Sequence, residues 1–363
     1  MRLLEAFPGA GLATQLHLLR ARAPLPAGVE VHIPFGNAGR FLPDRASRKA
    51  ASMRAERAFR RALHDADQPV IAWFWPDSPT ALVEEASRLG HICVREMINS
   101  PLATAAPLLT QAYRARGLEP AHGITEGMIA AESAQLHGCD YVFASNPEVE
   151  RGLRALGVAE ARILPTSFGY CEARFASRHG DTAIAAADQP FRLCSVATLT
   201  LRKGTLDLLE AWREADIDGE LWLAGAVDQR FEAALAPLLK ARGVCHLGHV
   251  GDIGAVYSAC DTHVLPTYEE GGPQVTYEAA RSGLASITTP MGAARLVRDG
   301  ETGLIVQAGR REGLVAAIRA LAGDRDRAAA MGQAARRAVG GFSYARVGAE
   351  RAARLLSVPP GIR

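Results

Sequence analysis

Short apolar runs alternate with stretches of helical period along the whole chain. Runs at residues 2–7, 29–34, 70–75, 91–95, 140–143 and 163–165 predict six strands, and those at 191–197, 220–225, 244–248, 262–265, 285–289 and 304–307 predict six more. Between them, 12–22, 44–65, 126–137, 205–213, 253–260 and 273–281 predict helices, and the Ala/Arg-rich 312–356 predicts a helical tail whose last helix is 344–356. Ser145 with Glu148 spells a capping box, which starts a helix ending near Gly157. The alternation occurs twice, on either side of a polar, Ala-rich, aperiodic stretch at 176–190. It predicts an α/β protein of two doubly wound, Rossmann-like domains facing a cleft.

One stretch concentrates the chemistry. Residues 262–265 are a strand, 266–272 a loop ending in two glycines, and 273–281 a helix closed by Gly283. A helix start with free N–H groups and partial positive charge suits a phosphate, and Gly271 and Gly272 let a ligand approach the backbone. Glu278 sits five residues into the helix, about 7 Å along its axis, within reach of a ribose beyond that phosphate. Glu270 faces the other way, toward whatever the phosphate carries. The pattern predicts a nucleotide-linked small molecule, with its nucleoside at Glu278 and its transferable group at Glu270.

Composition adds limits. The 363 residues are 48% hydrophobic and 22% charged, enough for two ordinary domains, and a net charge of +2 demands no nucleic-acid partner. Six scattered cysteines show no zinc spacing and read as small buried hydrophobes of a reducing compartment. No run approaches a membrane span, so a cytoplasmic protein is expected. The 44–65 helix carries Arg45, Arg48, Lys49, Arg54, Arg57, Arg60 and Arg61. Two readings of it stay open: a solvated face, or a peripheral contact with anionic membrane. Asp216-x-Asp218 and Asp324-x-Asp326 have metal-binding spacing but sit at loops and helix starts, so they read as turn and cap residues and no metal is expected.

Glu270-Gly-Gly-Pro-Gln-Val-Thr-Tyr-Glu-Ala-Ala-Arg-Ser-Gly, then Ile287-Thr-Thr-Pro and Asp299-Gly-Glu-Thr-Gly, resemble the donor segment of family 4 retaining glycosyltransferases, which have the two-domain GT-B fold. The resemblance implies an acceptor-side domain at 1–175, a linker at 176–190, a nucleotide-sugar domain at 191–340 and a helix at 341–363 crossing back to the first domain. It implies transfer of a sugar from a UDP- or GDP-linked donor to a glycan or lipid-linked acceptor, with retention and without a further cofactor, in polysaccharide, lipopolysaccharide or glycolipid assembly. Lys203-Gly204 matches the family's phosphate loop; Ala197-Thr198 departs from its usual Gly-Arg, leaving Arg202 to substitute. Gly9 and Gly11 match the first glycine loop, with Ala10 between them. His249 and Val250 fall on the loop that meets the nucleobase, and Gln274 and Val275 on the helix tip. At the end of the 91–95 strand Glu96 is the candidate for the acceptor side, with an ion pair to an arginine as the structural reading and His122 as an alternative. Lys203, Glu270 and Glu96 are therefore the candidate catalytic residues. The departure at Thr198 also admits a binding protein that does not catalyse. The opening glycine turn admits an NAD-dependent oxidoreductase, and the fold a nucleotide-sugar epimerase or hydrolase.

Overall fold

The computed structural model describes residues 2–17, 28–32, 44–174 and 189–359. Of the expected linker, only 189 and 190 fall among them. The strands are β1 (Gln15–His17), β2 (Glu30–His32), β3 (Ile71–Phe74), β4 (Ile92–Met97), β5 (Tyr141–Ala144), β6 (Ile163–Pro165), β7 (Phe191–Val196), β8 (Gly219–Ala224), β9 (Val244–Gly248), β10 (Thr262–Leu265), β11 (Ala285–Thr288) and β12 (Gly303–Ile305). The helices are α1 (Asp44–His64), α2 (Thr80–Arg88), α3 (Leu102–Arg114), α4 (Glu126–Gly138), α5 (Pro147–Ala155), α6 (Thr205–Ala215), α7 (Glu232–Leu235), α8 (Ile253–Ser258), α9 (Gln274–Arg281), α10 (Pro290–Ala293), α11 (Arg311–Gly323), α12 (Arg325–Ala338) and α13 (Tyr344–Ser357).

Every described strand pair is parallel. The first sheet runs β3-β4-β5-β6 and the second β12-β11-β10-β7-β8-β9, with β1 and β2 paired apart. Parallel strands need crossovers, and the helices that supply them cover both faces. The strands accordingly read as continuous apolar runs, with β5 and β10 buried at every position. In the second sheet the order reverses between β7 and β10, which opens a crevice beyond their C-terminal ends.

The N-terminal reading needs correction. Residues Arg2–Ala6 and Pro8–Ala10 are 3-10 turns rather than a strand, and Gln15–His17 is a strand within the stretch expected to be helical; residues 18–22 lie outside those described. Leu3 and Phe7 are buried while Glu5 is exposed, so the two turns direct two apolar side chains inward. That segment lies on α13, where a side chain at Gly348 would overlap the Leu3 carbonyl.

Helix α13 crosses to the first sheet, as expected. Ala352 and Leu355 join a core with Phe7, Val94, Tyr141, Phe143 and Leu164, and Arg351 is buried there completely. No helix among the described residues is long and apolar enough to cross a membrane. All six cysteines are free, and all but Cys245 are buried.

Candidate active site

The crevice between β7 and β10 is lined by residues 197–204 and 266–273. The two loops are stitched together: the Tyr268 amide and the Thr267 hydroxyl both donate to the Arg202 carbonyl, at 2.8 and 2.9 Å. Gly204 makes this approach possible. Its φ is +69°, and a side chain there would overlap the Pro266 carbonyl. The stitching brings Lys203 and Glu270 into an ion pair. Thr267 Oγ1 lies 3.1 Å from the same carboxylate oxygen. Arg202 reaches Glu269 at 3.2 Å and Glu270 at 3.8 Å. Two cations and two carboxylates thus meet at the switch point. Thr198, in the usual Arg position, is exposed on the same loop.

Helix α9 begins beside them. Pro273 occupies the cap position without a side-chain cap, so the first turn keeps donors for an outside acceptor. Glu278 is buried on the fifth residue of this helix and pairs with Arg174 at 2.6 Å. Burial pushes its carboxyl above the ordinary value, while the Arg174 guanidinium pulls it back down. Val275 on α9 and Val250 on the loop after β9 pack on one apolar cluster, and His249 beside Val250 is exposed. Gln274 is exposed at the tip. Glu270, Lys203, Arg202 and the α9 tip are therefore contiguous, with Glu278 a turn further along.

The first sheet touches this loop directly, which alters the reading of the glycines. A side chain at Gly271 would overlap the backbone of Ile98 and Asn99, and one at Gly272 the ring of Phe168. The Cβ side of both is filled by the first half of the chain. Ser145 is not the cap of α5. Asn146 is, accepting from the Glu148 and Val149 amides at 2.7 and 3.0 Å. Ser145 Oγ instead lies 2.6 Å from the Gly271 carbonyl, and Ser100 binds Glu269 through its amide and hydroxyl at 2.9 and 2.7 Å. None of these three contacts carries a sequence signal beyond the adjacency of Glu269 to Glu270; Arg174 has none at all.

Glu96 is corrected from acceptor contact to structural ion pair. It is fully buried, 2.7 Å from Arg351. His122 is held by Thr110 and the Ile124 amide. Gly9 lies within a 3-10 turn packed under α13 and Gly11 caps it, so among the described residues the strand–turn–helix that pointed to a dinucleotide or to donor phosphates is not formed there. Asp324 caps α12 and Asp218 pairs with Arg242.

A segment of 91 residues is 40% identical to the D-inositol 3-phosphate glycosyltransferase of Nocardia farcinica, covering 25% of this chain; the chain spans 20% of that relative's length. The fold is similar to that of a sucrose-phosphate synthase from Thermosynechococcus elongatus, with a TM-score of 0.69 at 19% identity over 98% of this chain and 92% of the other. It is also similar to Anabaena HepE in complex with UDP and glucose, with a TM-score of 0.67 at 16% identity over 98% and 95%. The chain has the GT-B fold, and its residues 190–324, which hold Lys203, Glu270 and Glu278, match the model of glycosyl transferases group 1.

Proposed function

We propose that this protein is a glycosyltransferase that moves a sugar from a nucleotide-sugar to an acceptor hydroxyl, with retention at the anomeric carbon. The observation that carries this reading is the convergence of Lys203, Arg202 and Glu270 beside the uncapped start of α9. In the proposed reaction the bond from anomeric carbon to phosphate oxygen breaks, and the acceptor oxygen bonds to the same face of that carbon. The acceptor proton passes to the leaving phosphate. Lys203, Arg202 and the α9 amides stabilise the diphosphate charge as it develops. A diphosphate would compete with Glu270 for Lys203 and free that carboxylate for the sugar hydroxyls. Glu278 accepts from the ribose. The donor is UDP- or GDP-linked; complexes of HepE with UDP and with UDP-glucose support a uridine donor. The acceptor is a glycan or lipid-linked glycan, and α1, with Lys49, Arg54, Arg57 and Arg61 on it, is the surface proposed to meet anionic lipid at the cytoplasmic face of a membrane.

A thermal-shift panel with UDP, GDP, ADP and NAD tests this, since a ligand of the folded state raises its apparent stability. One nucleoside diphosphate should stabilise the wild type, and Glu278→Ala should weaken its binding by about 10–100-fold, the range for hydrogen bonds to a charged group. Glu270→Ala should lower turnover and leave that binding in place. The ribose needs the ionised carboxylate, and the Glu278 value is raised. Nucleotide affinity should therefore fall on acidification while the pH is still above 4.5. Binding of no nucleoside diphosphate would sink the assignment. Thr198 favours one other reading, a partner protein that binds donor without transfer; binding with no turnover of any UDP- or GDP-sugar would point to it.

A further inference from the structure

Three consecutive residues of the donor loop are held from the first half of the chain. Glu269 Oε1 accepts from the Ser100 amide and hydroxyl. The Glu270 carbonyl lies 3.4 Å from Asn146 Nδ2. The Gly271 carbonyl lies 2.6 Å from both Asn146 Nδ2 and Ser145 Oγ. Ser145 Oγ is also 3.1 Å from the Met97 carbonyl, so its one proton has its shorter contact at Gly271. Ser145 and Asn146 are fully buried, and water cannot replace these bonds. A cap needs only the Oδ1 of Asn146. Its amide nitrogen is left for the donor loop, and an aspartate would cap the helix equally well without it.

We propose that Ser145 and Asn146 are positioning residues for Glu270: the first half of the chain sets the shape of the donor loop, and the sugar-side carboxylate reaches its working place only when the two halves are closed together. This rests on the reading of Glu270 as the sugar-side group. Glu278 lies a turn beyond the clasped residues and is held by Arg174 rather than by Ser145 or Asn146, so nucleotide binding does not need the clasp, whereas placement of the sugar does. Closure thereby assembles the site around a donor already bound.

Hydrogen exchange and nucleotide binding on Ser145→Ala and Asn146→Asp test it. Ser145→Ala leaves the α5 cap intact; Asn146→Asp keeps its acceptor and removes its donor. In both, protection of the Ser100 amide, which donates to Glu269 across the same contact, should drop about tenfold, the worth of one buried hydrogen bond. The Glu148 and Val149 amides should keep theirs, and the affinity for UDP, GDP or ADP, whichever binds the wild type, should stay within about twofold. Turnover of the matching nucleotide-sugar should fall with the protection while KM holds. Unchanged protection in both variants overturns the clasp, and equal loss of nucleotide affinity overturns its restriction to the sugar side. A wild type that binds none of the three nucleotides overturns the functional reading instead, and the exchange data still decide on the clasp.

Discussion

Glu96 and Arg351 show how much one pair can carry. Arg351 donates to Glu96 at 2.7 Å, to the Thr166 hydroxyl at 2.9 Å and to the Ser167 carbonyl at 2.9 Å, and its guanidinium lies against Phe143 and Phe168, 5.1 and 5.3 Å from the ring centroids. Burial pushes the Glu96 carboxyl up, and Arg351 opposes that. Removing one partner strands a charge in the interior, so Glu96→Ala should cost about 3–5 kcal/mol in a urea titration without altering nucleotide affinity. The paired change Glu96→Leu with Arg351→Met should recover much of that loss. The pairing was open in the sequence as one of two readings for Glu96, but its partner stands at position 351, and nothing local to either residue selects it among the arginines of the chain.

At the scale of elements, β10 and the loop and helix after it were the most legible part. The run at 262–265 is buried at every position, Gly283 takes the left-handed conformation that ends the helix, and the helix begins one residue after its expected start. Each of these follows from local chemistry, and so it could be read locally. The N-terminal turns could not, because Leu3 and Phe7 are organised by α13, which arrives from the far end of the chain. For the same reason the role of Gly271 was half legible: a need for close approach could be inferred, but not that Ile98 makes the approach. Strand β10 also carries His263, wholly buried, with Nδ1 3.1 Å from the Ser286 hydroxyl and its value pushed down to about 3 by burial. The unfolded chain takes up this proton below about 6.5 and the folded one only near 3. Its contribution is therefore full above 6.5 and lost as the pH falls through that window, at a slope of about 1.4 kcal/mol per pH unit. His263→Asn should flatten the measured dependence of stability on pH over that range.

For the whole molecule, polar contacts join the two halves well beyond the donor loop. Arg116 after α3 pairs with Asp207 and Glu210 on α6, Tyr113 meets Phe231, and Arg295 reaches Glu150 and the carbonyls of Ala144 and Thr166. The wild type should unfold in one calorimetric transition, and the double variant Arg116→Ala with Arg295→Ala should separate it into two. Two sheets on either side of a break were readable from the repeated alternation of elements; the contacts that couple them, made largely by the half-buried Arg116 and Arg295, were not. The path of α13 has a consequence for how the chain is made. The first sheet is complete in sequence at Pro165, yet its core lacks Arg351, Ala352 and Leu355 until roughly 190 more residues have left the ribosome. At ordinary rates of synthesis that interval is on the order of 10–40 s. Through it Glu96 lacks its Arg351 counterion and Phe143 has an open face, so the first half of the nascent chain waits unfinished until α13 emerges.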